Sequence, residues 1–441
     1  MNQEPSTATA HPVVGPGLDP PPPDRVSAER FVAEHLGGLF CESEVVSSHR
    51  FRGGQSAADR ALERFDVTGY AAARNEAYPQ DRRGASGLSP YIRHGLLPLA
   101  RVWDAVDGGP EHDVRKFRDE LLWQEFARHW YARLGARTKE PLRRSYRAET
   151  RAAGRSASVD GDAAAVDDRS ASAPWDLDMA CLELTVGELE DDGWLVNQTR
   201  MWLASHWTVR NRFDWRAGED YFFRHLLDGS RAANRLGWQW TSGVGSNRAY
   251  GFSRWQVEKR APGLCASCDV AAHCPIDGWP DDPDFQRVDV DPLITGDPQL
   301  EARVGPRRVE GTGADPEAVW LTAESLGFDD PALAANPKLP AVFVFDRTLL
   351  AGLQLSSKRL VFLVESLAGL AVHRPLEIRV GDPVELLAGR PLATTFAPVP
   401  GWRRRASELM ITELHPWPWL RLPVAGNIGS FSAWAKQISG R

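Results

Sequence analysis

The sequence predicts a fold in two parts, an all-helical region followed by a Rossmann-like parallel α/β domain. Three observations carry this. From residue 29 to residue 279 apolar residues recur at helical spacing, as Val32, Leu36, Leu39 and Phe40 do, and almost nothing reads as strand. Beyond residue 315, short apolar runs alternate with helical stretches, which implies a parallel sheet with helices on its faces. Between the two, residues 280–315 are rich in Asp, Pro and Gly and read as a linker crossing the surface.

The elements follow in order. Residues 1–28 form a Pro-rich tail that cannot bury enough apolar surface to fold, so disorder is expected there. The helical domain, residues 29–279, has helix candidates at Ala57–Phe65, Tyr91–Val106 and Val114–Leu134, the last placed to end at Gly135. Arg151–Pro174 is Ala/Ser/Asp/Gly-rich and reads as a mobile surface loop. Helical periodicity resumes at Leu177–Leu189, Leu195–Val209 and Glu219–His225. In the α/β domain, residues 316–441, the strand candidates are Ala318–Leu321, Ala341–Phe345, Leu376–Val380 and Leu392–Phe396. Lys358–Leu370 is an amphipathic helix and Val384–Leu387 a short one. The Trp-bearing stretch from His415 to Arg441 is a candidate to dock back on the helical part.

Composition narrows the function classes. No apolar run approaches the roughly 20 residues that span a bilayer, and the N-terminus lacks a signal pattern, so a cytoplasmic protein without membrane contact is expected. The net charge of −7 argues against indiscriminate coating of nucleic acid but leaves room for a local basic groove. The residues for one are Arg133, Arg137, Lys139, Arg143, Arg144 and Arg147, which read equally well as a solvated charge run. The 17 Trp are mostly core, although some sit beside Asn, Arg and Gly in motifs.

Five Cys exclude a disulfide scaffold, and three of them fall within ten residues. Cys265-Ala-Ser-Cys268, followed by Cys274-Pro275, is a spacing that both zinc and an iron–sulfur cluster accept. A fourth ligand is needed, from Cys181 or Cys41, with His273 competing if the metal is zinc.

Other motifs carry a resemblance. Asn197-Gln-Thr-Arg-Met201, Asp214-Trp-Arg-Ala-Gly-Glu219, Ala232-Ala-Asn234 and Gly237-Trp-Gln-Trp240 resemble the helical FAD-binding core of DNA photolyases and cryptochromes. Asp119-Glu-Leu-Leu-Trp-Gln-Glu-Phe-Ala-Arg128 resembles the photolyase segment that faces substrate, with Glu120 and Trp123 on one helical face. Tyr70-Ala-Ala-Ala-Arg74 and Ser86-Gly-Leu-Ser-Pro-Tyr91 resemble the entry to the FAD pocket and its phosphate-contacting turn.

The resemblance implies roles. Tyr70, Ser86, Leu88, Ser89, Arg200, Asp228 and Asn234 would bind FAD, with Asn234 facing the reactive ring nitrogen and Arg200 paired to Asp228. Glu120, Trp123, Asn197, Met201 and Trp240 would form the catalytic pocket for a cyclobutane pyrimidine dimer flipped out of DNA. Trp238 and Trp215 match the first two members of the family's electron-transfer chain. The usual third Trp is missing, with Tyr146 or Trp207 as substitutes. Gln198 replaces an Arg that grips DNA, and Val196 replaces a His, which disfavours (6–4) repair. Likeness to iron–sulfur bacterial members implies a [4Fe–4S] cluster on Cys181, Cys265, Cys268 and Cys274, leaving Cys41 free, with zinc as the alternative.

In this family the α/β antenna domain comes first, so the order here reads as a circular permutation. Val319–Ala334 resembles the antenna's first strand and turn without its Arg residues, which leaves the antenna chromophore unassigned. The implied function is light-driven electron transfer to pyrimidine dimers in DNA, the lyase chemistry of deoxyribodipyrimidine photolyase, by a monomer. The alternatives are a photosensory or redox flavoprotein without repair, or a protein that binds single-stranded nucleic acid or RNA and keeps the pocket as structure.

Overall fold

The computed structural model describes residues 17–149 and 175–438. The stretch expected as a mobile loop, Arg151–Pro174, and the first 16 residues of the expected tail lie outside the described residues. Regular structure starts before residue 28. Leu18 forms an antiparallel bridge to Ile378, and the Asp24 carboxylate accepts the Ser27 N–H to cap the helix Arg25–His35.

The helical region is built around the long helix Glu111–Leu134, which ends at Gly135 with φ 56°. Asn197–Ser205 runs into a π-helical turn, His206–Arg210, a widened turn that is frequent at functional sites. Asp214 caps Trp215–His225 through the Arg216 N–H, and Gly243, at φ 83°, closes Ala233–Ser242. Two short strands, β1 (Arg144–Tyr146) and β2 (Phe285–Arg287), pair antiparallel. The stretch expected as a surface linker contributes β2, the helical turns Pro292–Thr295 and Glu301–Val304, and β3 (Glu310–Gly311). It is anchored by buried Ile294, Leu300 and Val304.

The α/β part holds β4 (Ala318–Leu321), β5 (Ala341–Asp346), β6 (Leu376–Gly381), β7 (Leu392–Thr395) and β8 (Ile411–His415). The spatial order is β3-β8-β7-β4-β5-β6. β4 to β8 all pair in parallel, and β3 adds antiparallel to the β8 edge. Counting the parallel strands along the chain, the order is 3-2-1-4-5, the doubly wound arrangement, and its direction of winding reverses between β4 and β7.

One hydrophobic cluster joins both ends of the chain. Phe31, Val32, Leu36, Leu88 and Leu97 pack with Phe343, Phe345, Leu360, Phe362 and Leu367. The backbones approach closely at glycines. A Cβ on Gly53 would lie 2.1 Å from the Phe362 carbonyl oxygen, and one on Gly95, which sits at φ 69°, would lie 2.1 Å from that of Glu324. The Glu365 carboxylate ties this seam by accepting from the Gly53 N–H (2.6 Å) and Arg52 Nε (2.5 Å). A second cluster gathers Trp202, Trp207, Trp215, Phe222, Trp238 and Phe252. The helix Phe431–Ile438 docks on Glu111–Leu134. Its fully buried Trp434 packs on Phe126 and donates Nε1–H to His129 Nδ1 at 2.8 Å. Among the described residues no helix is long and apolar enough to cross a membrane.

Candidate functional site

A cavity of about 1720 Å³ lies between the helices, the carboxyl ends of β4, β5 and β7, and the segment before the last helix. Its size exceeds the roughly 300–1,000 Å³ usual for one small ligand. It reaches Leu321, Thr322 and Ala397–Pro398, which follow β4 and β7, so it opens onto the point where doubly wound sheets take ligands. Tyr70, Ser86, Ser89, Glu120, Trp123, Asn197, Arg200, Met201, Asp228, Asn234, Trp238 and Trp240 all line it, although they come from segments far apart in sequence. The Leu88 side chain is fully buried in the shared core, and Trp215 is buried in the Trp-rich cluster.

One wall is a braced polar lattice. Arg200 grips Asp228 with two parallel bonds, Nη1 to Oδ1 at 3.1 Å and Nη2 to Oδ2 at 2.8 Å, and its Nε donates to the Leu195 carbonyl at 3.0 Å. Such a fork fixes direction as well as charge. Asn234 donates its amide N–H to the Glu219 carbonyl (2.9 Å) and to Glu219 Oε1 (3.1 Å). Both partners are acceptors there, so the amide orientation is settled and Oδ1 is turned away from Glu219. Burial pushes the Glu219 carboxyl up, while Arg231 (2.5 Å) and Arg235 (3.3 Å) hold it against that rise. Arg93, Arg200, Arg231 and Arg359 all face this cavity, a cationic setting suited to an anionic cofactor. Ser89 Oγ is fixed by the indole N–H of Trp194 at 3.0 Å, and Tyr70 is packed edge-on against Phe65 and Phe117.

Another part of the cavity lining is open. Trp123 and Trp240 are 40% and 45% exposed. Glu120 is paired to Lys116 Nζ at 2.7 Å and Arg74 Nε at 3.3 Å. Trp123 is also stacked face to face on Phe431, with ring centres 4.1 Å apart and planes 11° apart. No local pattern signals that contact, because it joins residues more than 300 positions apart. Asn197 is exposed at the start of its helix. Gln198, one position on, is buried and donates to the Tyr250 hydroxyl at 2.7 Å; Val196 is fully buried.

Of the basic run, which reads equally as phosphate contacts or as a solvated charge run, Arg133 fits neither. Arg133 is buried and donates to the carbonyls of Leu293, Val424 and Gly426, so it clamps the C-terminal segment from inside. Arg143 binds the Gly429 carbonyl, Arg144 the Gly243 carbonyl, and Arg137 pairs with Asp291 at 3.0 Å. Arg147 is exposed.

The indoles form a file. Trp238 is fully buried, and its ring centre lies 6.3 Å from Trp207, which lies 5.3 Å from Trp175. Trp207 is fixed by its bond to the Asp214 carbonyl at 2.9 Å. A Cβ on Gly218 would meet the Trp238 ring at 2.2 Å, so that glycine makes the room. Trp207 is one of the two substitute relays expected from the sequence. Trp175 is not among them, and its one signal there is being the first Trp after the Ala/Ser-rich stretch. Tyr146 instead donates its hydroxyl to the Phe213 carbonyl at 2.6 Å.

Cys181, Cys265, Cys268 and Cys274 line one small recess with Met179, Val257, Leu264 and Ile276. Burial, with the three neighbouring thiols adding to it, pushes the Cys181 thiol up to about 12. The Ala180 N–H points at Cys268 Sγ (3.5 Å). Four thiols in an apolar cup with a backbone N–H on sulfur suit a thiolate-held metal centre. His273 is exposed, and Cys41 lies elsewhere, beside Glu42.

Part of the helical region is similar to known proteins. Residues 117–261 match the family described as the FAD binding domain of DNA photolyase. A deoxyribodipyrimidine photo-lyase of Synechococcus is 28% identical over 206 residues, 44% of this chain and 39% of that protein. One from Thermus thermophilus is 30% identical over 183 residues, 38% of each. The chain thus spans about two fifths of the length of the curated relatives it matches. A solved bacterial class III photolyase from Agrobacterium tumefaciens aligns at 26% identity over 42% of this chain and 37% of that one, with a TM-score of 0.33. Residues 117–261 are therefore similar to the FAD binding domain of DNA photolyase.

Proposed function

We propose that the chain is a circularly permuted photolyase-like flavoprotein that repairs cyclobutane pyrimidine dimers in DNA, flipped into the cavity, by light-driven electron transfer. The observation that carries this is the cavity itself: the residues assigned to flavin, Leu88 apart, and those assigned to substrate line one space, the former braced by buried ion pairs and the latter more open. Bound FAD supplies a one-electron donor in the light. Arg200, Asp228 and Asn234 orient it, with Tyr70, Ser86 and Ser89 along its path. Glu120 offers a carboxyl to the pyrimidine edge, Asn197 a donor and an acceptor, and Trp123, Met201 and Trp240 apolar walls. The Trp238–Trp207–Trp175 file gives electrons a route away from the cavity through buried indoles. Support for the permutation comes from the parallel sheet, which follows the helical part in the chain.

The four-cysteine recess fits a [4Fe–4S] cluster on Cys181, Cys265, Cys268 and Cys274. Iron and acid-labile sulfide in the purified protein, with visible absorption that bleaches on reduction, are the expected signs; zinc without iron would sink the assignment. For repair, the reduced protein is illuminated with a dimer-containing oligonucleotide. Loss of dimer is expected, and unchanged dimer with FAD still bound overturns the repair reading.

A second reading, a photosensory or redox flavoprotein without repair, is favoured by one contact. Phe431 already stacks on one face of Trp123, the ring assigned to the pyrimidine. Light-driven flavin reduction without dimer loss would support it.

A further inference from the structure

Cys41, Glu42 and His225 bring a thiol sulfur, a carboxylate oxygen and a ring nitrogen to within 4.8 Å of one another. Neither the flavin cavity nor the four-cysteine recess includes them. They arrive on different stretches of chain. Cys41 N–H donates to the Leu355 carbonyl at 3.2 Å, and Ser356 N–H to that of Arg224 at 2.9 Å, so the segment at residues 41–42, the end of the Trp215–His225 helix and the start of the Ser357–Ala371 helix cross at one point. His225 Nδ1 is sealed from solvent and has no hydrogen-bond partner, a costly state for a buried nitrogen unless something binds it. The ring is held beside Tyr221, with centroids 4.6 Å apart. Glu42 is oriented by Ser356 Oγ at 2.5 Å and the Ser357 N–H at 2.8 Å, the outer-shell support that ligating carboxylates have.

We propose that Cys41, Glu42 and His225 form a second metal site, for a divalent cation of the zinc type, that ties the segment at residues 41–42 to the two helix ends it crosses. One sulfur, one nitrogen and one oxygen are a donor set that zinc accepts, and three protein ligands leave a fourth position for water. Charge closes: the thiolate and carboxylate bring −2 and the cation +2. Lys358 Nζ at 3.5 Å from Glu42, and Arg224 close by, are the positive groups that face the site. On binding, the Cys41 thiol loses its proton to solvent and no redox change occurs.

The test uses the full chain with FAD bound, stripped with a chelator and titrated with ZnCl2. Any zinc on the four-cysteine recess is common to all variants and cancels in the comparison. The native protein should take up one more equivalent than Cys41→Ser or His225→Gln, or bind it more tightly by over the roughly 10–100-fold that loss of an outer-shell partner costs. Zinc should raise the melting temperature of the native protein and not that of Cys41→Ser. Co2+ in place of zinc should give a sulfur-to-metal charge-transfer band that is absent in Cys41→Ser. Equal zinc uptake and an equal melting shift in native protein and Cys41→Ser overturn the proposal. Should Cys41→Ser fail to fold, Glu42→Gln decides by the same uptake and melting measurements.

Discussion

The two walls of the cavity are held by different physics. On one, charges are buried and each has a fixed partner: Asp228 is 7% exposed in its pair with Arg200, and Glu219 is 2% exposed between two arginines. Removing one member leaves the other uncompensated in low dielectric. On the other, Trp123, Trp240 and Glu120 stand in or near solvent, where each contact is worth little. A buried lattice suits a group that stays in place, whereas an open aromatic wall suits one that comes and goes.

Substitutions can break this contrast. Asp228→Ala should have the largest effect, about 3–5 kcal/mol of stability together with loss of flavin, because Arg200 would be left unpaired; denaturant titration and flavin fluorescence read both. Next comes pH. His206 lies on the π-helical turn behind the braced wall, where Asn211 Nδ2 faces its Nδ1 at 3.2 Å, and burial lowers it from 6.5 to about 4. The unfolded chain therefore takes up a proton between pH 6.5 and about 4 that the folded chain refuses. The stability contributed by the neutral ring is complete above 6.5 and falls as pH drops through that window, by about 3 kcal/mol at most. His206→Gln should flatten this part of the stability–pH curve, and an unchanged slope would refute the assignment. Gly218→Ala, which drives a methyl into Trp238, should cost about 1–3 kcal/mol and disturb flavin photoreduction. On the open wall, Phe431→Ala should cost only about 0.5–1.5 kcal/mol while tightening binding of a dimer-containing oligonucleotide. Weaker binding would mean that Phe431 helps to hold substrate. Glu120→Gln should change stability least, by under about 1 kcal/mol, keep FAD, and lower the yield of dimer repair.

How much the sequence revealed follows the same divide. β4 to β7 were legible because short apolar runs with both faces covered stand out between turn residues, as Ala341–Phe345 does. β8 escaped because Ile411-Thr-Glu-Leu-His415 alternates with polar residues and borders a Trp-rich tail. β3 has two residues, one a Gly, and forms only by pairing to β8. In the cavity, Arg200 and Asp228 could be paired beforehand through the family resemblance. Arg133 looked like a surface cation because charge alone does not tell which face of a helix is covered from residues near 424. The Phe431–Trp123 stack and the Cys41–Glu42–His225 cluster exist only in three dimensions, since their members are unremarkable in the chain.

The cluster that joins Phe31 and Leu88 to Phe343 and Phe362 has a thermodynamic consequence. Likeness to other proteins is concentrated in residues 117–261, yet that segment does not own the core beside it. Heat should find no seam at which to open one end of the chain before the other, so the early helices and the sheet should melt together in one calorimetric transition. A protein trimmed to its recognisable segment would cut into the long helix Glu111–Leu134 and leave part of its apolar face bare, a sticky fragment instead of a small flavoprotein.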